Sequence, residues 1–229
     1  IEWWLDDLVV FDSSGSSPNA YLGDKTIRMK PASAVGDKSD FTQNWAAWAA
    51  STVMAVGQQI KDSNNNVQRV TAITGDFKTG SSPPSWATTG GNTTADNHVT
   101  WTVVGTGASP GAANWMAVAE SPADGDSSYN SSSTIGNIDR FVSAAFPATC
   151  TGIVLVYETI SSRKDDAGTR SLRGSINSGG TVADNGTDFT QNSTYAQFNP
   201  FFLVDPNTGA AWTIGAVNGL TGWGYKVTA

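Results

Sequence analysis

The chain has 229 residues, of which 20 are acidic and 13 basic, giving a net charge of -7. Nucleic-acid binding rests on clustered Lys and Arg that neutralise phosphates; no such cluster is present, so nucleic acid is not an expected partner. No apolar run reaches the ~18 residues of a membrane helix and no secretory leader is recognisable, so membrane is not an expected partner either.

Cys150 is the single cysteine, which excludes an intrachain disulfide and fits assembly in a reducing cytoplasm. It stands between two threonines with no histidine beside it, the setting of a small side chain at a strand start. Ile1 in place of Met is what a processed or truncated start would leave. The 24 glycines and the Ser/Thr/Asn-rich connections point to an all-β protein with many turns.

In chain order, residues 3–11 (WWLDDLVVF) read as a strand, with Leu8 to Phe11 apolar on both parities and so covered on both faces. Trp3 and Trp4 are adjacent and must face opposite ways. A second short strand is expected around Thr26 to Arg28, a loop over 31–40, and a helical turn in the Ala-rich stretch Phe41 to Trp48. From Val53 a hairpin is expected: Gln58 to Asp62, a polar SNNN turn, then Val67 to Thr74. A Pro/Gly-punctuated crossing follows, then a strand over Val99 to Val104. These elements are bounded by Gly/Ser/Pro-rich connections and read as a small module set into a loop of a larger domain. The expected division is therefore 1–48 scaffold, 49–107 inserted module and 108–229 scaffold.

Further on, a strand is expected at Trp115 to Glu120, a polar loop over 121–134, and a strand at Ile138 to Phe146 with Phe141 inward. The run Ile153 to Tyr157 is apolar, and Thr169 to Ile176 alternates. The two are expected to pair as a central hairpin, with a left-handed turn at Gly168 in RKDDAG. The mixed charges from Arg163 to Arg173 fit a solvated tip. Then come a Gly179–Gly180 turn, a strand over Tyr195 to Val204 broken by Pro200, a tight turn at 205–209, a helical turn within 210–220 and a closing strand at Gly222 to Thr228. The expected fold class is all-β, an antiparallel β-sandwich with a small β module in one loop.

Five segments carry a resemblance: LDDLVVFDSSGS at 5–16, LGDKTIRMKP at 22–31, NWMAVAESPADGDSSYNSSSTIGNIDRF at 114–141, RKDDAGTRSLRGSINSGGT at 163–181 and DPNTGAAWTIGAVNGLTGWGYKV at 205–227. In that order they resemble virion structural proteins of tailed bacteriophages with a concanavalin- or LamG-like jelly-roll. Residues 53–105 are similar to a second phage-borne module, loosely like small chitin-binding domains, with Trp86 and Trp101 at its two Trp positions and Met54 where an aromatic is common. The resemblance implies a capsid decoration (cement) or tail-associated protein. Its partners would be other virion proteins and further copies of itself, and its location the virion, assembled in the host cytoplasm.

The search for chemistry agrees with a non-enzymatic role. A glycosidase needs two carboxyl groups roughly 5–10 Å apart. The three glutamates, Glu2, Glu120 and Glu158, lie in no acidic strand motif, and Asp165 and Asp166 are adjacent on a turn and diverge. His98, the single histidine, has no Cys, His or Glu at ligand spacing and reads as a surface residue. Asp124 and Asp126, like Asp6 and Asp7 beside Asp12, could offer oxygens to calcium, but capping of their own backbone explains them equally and neither run has the EF-hand form. No cofactor and no metal are expected. The alternative function is a carbohydrate-binding adhesin that meets a host glycan through Trp86, with Trp101 either joining it or, as the small core of the module favours, packing inward.

Overall fold

The computed structural model describes residues 28, 30–106, 114–119, 123–147 and 152–229, and all that follows concerns the unit Pro31–Ala229. The expected strands at 3–11 and around Thr26, the paired Trp3 and Trp4, the Asp6, Asp7 and Asp12 group, Glu2, Glu120 and Cys150 lie outside the described residues. The described chain is all-β, and each strand pair is antiparallel. No helix among the described residues is long and apolar enough to cross a membrane.

The largest sheet has six strands: β1 (Ala32–Ser39), β8 (Ile138–Ser143), β16 (Leu220–Val227), β11 (Ser171–Ser178) and β12 (Thr181–Asp184) in that order, with β13 (Phe189–Thr190) also on β11. A four-stranded sheet runs β3 (Gln59–Lys61), β4 (Val67–Ile73), β6 (Val99–Gly105) and β5 (Thr93–Asp96). Three two-stranded ribbons complete the fold: β2 (Thr42–Trp45) with β7 (Ser128–Ser131), β9 (Val156–Tyr157) with β15 (Phe201–Phe202), and β10 (Ile160–Ser162) with β14 (Ala196–Phe198). A 3₁₀ turn, Asn114–Val118, and a short helix α1, Ile214–Asn218, are the helical elements described. Thr213 caps α1 through a bond from the Ala216 amide to its Oγ1.

The four-stranded sheet follows its sequence pattern closely. In β6, Val99, Trp101 and Val103 point inward and Thr100 and Thr102 outward, the period of two that a half-buried strand imposes. Residues 62–66 reverse the chain between β3 and β4, where Asp62 Oδ1 accepts the amides of Asn64 and Asn66 and Asn65 takes a left-handed φ of 62°. The inner face of this sheet buries Met54, Ile60, Val70, Val99 and Trp101. Towards the rest of the chain, Val67 packs with Met116, and Gln59 Nε2 donates to the Met116 carbonyl at 2.7 Å.

The six-stranded sheet corrects several expectations. Ile153 to Tyr157 and Thr169 to Ile176 do not form a hairpin. β11 lies between β16 on one side and β12 and β13 on the other, while β9 pairs β15 in a separate ribbon. The reason lies in side-chain size. β11 is rich in Ser, Gly and Asn, which admit close approach from both faces, so the strand with polar spelling is the buried one. At Gly174 a Cβ would sit 2.5 Å from Pro200 and 2.8 Å from Glu158 Oε2, so the absence of a side chain there lets the outer layer touch the sheet. The Gly179–Gly180 turn joins β11 to β12 with positive φ at both residues, whereas Gly168 is not among the left-handed glycines.

Residues 31–40, expected as loop, are the bulged strand β1 against β8. The expected helical turn at 41–48 contains β2 instead, because Thr42–Trp45 finds its backbone partners in Ser128–Ser131, within the stretch expected as loop. The strand expected at 115–120 is, where described, the 3₁₀ turn. Three further readings agree: Phe141 is 1 % exposed, Pro200 separates β14 from β15, and β16 closes the chain.

Candidate functional site

Trp86 and Trp101 meet edge to face, with ring centroids 5.8 Å apart at 75°. Trp101 is fully buried, so it is closed to a sugar ring; the expectation that it contacts a glycan is corrected by its place in the inward row of β6. Its indole Nε1 donates to Asp96 Oδ2 at 3.1 Å, and Trp48 Nε1 donates to the same oxygen at 2.8 Å. Asp96 Oδ1 accepts the Gly80 amide at 2.7 Å. One buried carboxylate thus ties two indoles and a loop together. Trp86 remains half-buried, propped against Trp101 and reachable from outside.

His98 lies on the surface at the β5–β6 turn, its Nε2 3.7 Å from Asp76 Oδ1. Asp124 and Asp126 take separate partners. Asp124 accepts the amides of Gln59 and Ser128 and the Ser128 hydroxyl, and burial holds its carboxyl above the usual range against those bonds. Asp126 accepts from Tyr195 and Arg163, which hold it below. Among the described residues no three His, Cys, Asp or Glu side chains gather to hold a metal ion.

Two arrangements were not read from the sequence. The first is an apolar surface on the β9–β15 ribbon. Tyr157 opposes Phe201 and Val156 opposes Phe202. Val156 and Phe202 face the core with Ile176 and Trp212. Tyr157 and Phe201 face out, and Leu155 and Leu203, each two residues further along its own run, are exposed as well. All four are 37–52 % exposed. The signal was present as two apolar runs, IVLVY and FFLV, but their pairing joins residues more than forty positions apart.

The second is a polar chain on one face of the six-stranded sheet, with two buried carboxyl groups placed elsewhere on it. Arg140 is 1 % exposed; its Nη1 donates to Asp37 Oδ2 at 2.9 Å, and its Nε and Nη2 donate to Ser175 Oγ. Ser175 Oγ donates to Asp184 Oδ1 at 2.7 Å, and Lys226 Nζ meets Asp184 Oδ2 at 2.8 Å. The chain of contacts crosses β1, β8, β11, β12 and β16. Arg140 reaches over β16 because a Cβ at Gly222 would overlap its stem. Burial raises Asp184, but Lys226 and Ser175 outweigh it and hold the carboxyl below its ordinary value.

Asp139 is fully buried and accepts from the side-chain amides of Asn114 and Asn130 at 3.0–3.1 Å. Desolvation outweighs these bonds and pushes it up to about 7. Glu158 is 3 % exposed; its Oε1 accepts the Gly224 amide at 3.0 Å and its carboxyl is held well above the ordinary range by burial. Both groups could serve as acids, but both are sealed from any substrate in this conformation. No protein-family model matches the chain, and neither a curated protein nor a solved structure matches it.

Proposed function

We propose that this chain is a non-enzymatic structural component of a tailed-phage virion, a capsid decoration or tail-associated protein that acts through protein–protein contacts. The observation that carries this reading is the outer face of the β9–β15 ribbon. Tyr157 and Phe201 stand there as partners, on strands whose opposite face is locked into the core, and Leu155 and Leu203 in the flanking runs are exposed as well. Exposed apolar side chains grouped on one ribbon mark a contact surface, and a rigid backing lets such a surface dock without reordering. Docking to a lattice also stabilises the bound fold by mass action.

The test is incorporation into particles. Wild-type chain is expected in the mass spectrum of purified virions, and the double variant Phe201→Ser, Leu203→Ser is expected to fall at least tenfold in occupancy while keeping its thermal stability. Virions without these peptides, or full occupancy by the variant, would remove the reading. A second reading, a carbohydrate-binding adhesin, is favoured by Trp86, half-buried and braced by Trp101. Glycan-array binding that disappears in Trp86→Ala would establish it.

A further inference from the structure

Glu158 follows directly on β9, and its backbone amide donates to the Pro200 carbonyl at 2.9 Å, which joins the strands of the outer ribbon to each other. Its side chain turns the other way, into the six-stranded sheet. There Oε1 takes the Gly224 amide of β16, while Oε2 lies over Gly174 of β11 and has no hydrogen-bond partner among the described residues. Pro200 seats on the same glycine. One carboxyl group therefore enters the sheet over Gly174, where a side chain on β11 would block it, reaches the Gly224 amide of the neighbouring strand and brings the ribbon with it.

The charged groups of the surrounding elements are already engaged. Arg140 of β8 acts on Glu158 through space, yet its guanidinium bonds go to Asp37 and Ser175. Arg173 of β11 pairs with Asp188, Lys226 of β16 with Asp184, and Asp139 of β8 holds the two asparagines. The strands β9, β10, β14 and β15 carry no Asp, Glu, Lys or Arg. A carboxylate at this position would have only backbone amides as donors, Gly224 and Ser175, and no cation bonded to it, a costly state in a dry site.

We propose that Glu158 is a neutral clasp: as the uncharged acid it holds the β9–β15 ribbon against the six-stranded sheet, and its ionisation loosens that ribbon. The raised position of its carboxyl supports the same direction. For a carboxyl whose folded value is raised, stability is fully present below the unfolded value of about 4.3 and is lost as pH rises through the folded one. The device thus closes in acid and opens toward alkaline pH.

The chain has three glutamates, so carboxyl-¹³C glutamate labelling gives three resonances, and the one missing in Glu158→Gln is that of Glu158. It is expected to keep the shift of the protonated acid at pH 5, where an ordinary glutamate is ionised. Amide exchange in the ribbon, read at Tyr157 and Phe202, is expected to be at least tenfold faster in wild type than in Glu158→Gln at pH 8 and equal at pH 5. A Glu158 resonance that titrates near 4.3, or a wild-type to variant ratio that does not change with pH, would overturn the proposal. Should Glu158→Gln fail to fold, the wild-type titration read on the full chain still decides, with assignment by through-bond correlation to the Glu158 amide.

Discussion

The four-stranded and six-stranded sheets carry their costs in different places. All four non-glycine residues with positive φ among the described ones, Ser51, Asn65, Phe77 and Asn97, lie in the segment that holds the four-stranded sheet. The six-stranded sheet holds no left-handed non-glycine residue among the described ones but buries Arg140, Asp139 and Ser175, with Glu158 lodged against it. One region holds its strain in turns around an indole core. The other holds it in desolvated polar groups, where each unmatched charge is expensive. Substitutions should therefore fail in different ways in the two regions.

The largest expected effect is Trp101→Ala. It empties the centre of the four-stranded sheet, removes the brace under Trp86 and leaves Asp96 with one indole fewer. A loss of about 3–5 kcal/mol in chemical denaturation is expected. A loss below ~1 kcal/mol would mean the indole is not the keystone it looks. In the six-stranded sheet the counterpart is Arg140→Ala, which strands Asp37 and Ser175 without making a large apolar hole. Breaking a buried pair from one side costs about 3–5 kcal/mol, and the partial exposure of Asp37 places this case at the low end. Arg140→Met, which keeps the stem over Gly222, is expected to recover part of that loss.

That contrast also sets what the sequence could tell. β6 was legible because its Val and Trp alternate with Thr, and apolar periodicity is the signal a single sequence carries most plainly. β11 was read as half-wet because Ser171, Arg173 and Ser175 alternate with Leu172, Gly174 and Ile176, yet Ser175 and Asn177 are buried. Their burial depends on Arg140 and Asp37, which arrive from strands 35 and 140 residues away. The same holds for Thr42–Trp45, whose partner strand lies 87 residues on. Of the candidate site, Trp86 was legible. The ribbon surface and the Glu158 seat were not, since both exist through pairings and glycine gaps rather than through any local motif.

Asp139 gives an effect of about 3 kcal/mol between pH 4 and pH 7, and one with a definite sign. Its folded value of about 7 exceeds the unfolded value of about 3.9, so between those limits the folded chain binds the extra proton. Its contribution is present below pH 4 and lost as pH rises to 7. Denaturation at pH 4 and pH 7 is therefore expected to show wild type losing more stability over that interval than Asp139→Asn. Equal losses would show that the asparagine pair compensates the charge better than the burial suggests.

The smallest effect is expected at Phe77, and it has the opposite sign. A phenylalanine at φ 62° holds a conformation that costs a residue with a Cβ about 1–2 kcal/mol, and the side chain is 47 % exposed, so burial repays little of it. The fold imposes the geometry from outside: the Phe77 amide bonds the Thr74 carbonyl, and its own carbonyl takes the Met54 amide. Glycine accepts that φ freely but adds freedom to the unfolded chain, which returns part of the gain. Phe77→Gly is expected to raise stability by about 0.5–1 kcal/mol. A measured loss would show that the exposed ring covers more apolar surface on the Val53 side than its accessibility indicates, and the strain at this turn would then be held by packing rather than by backbone bonds alone.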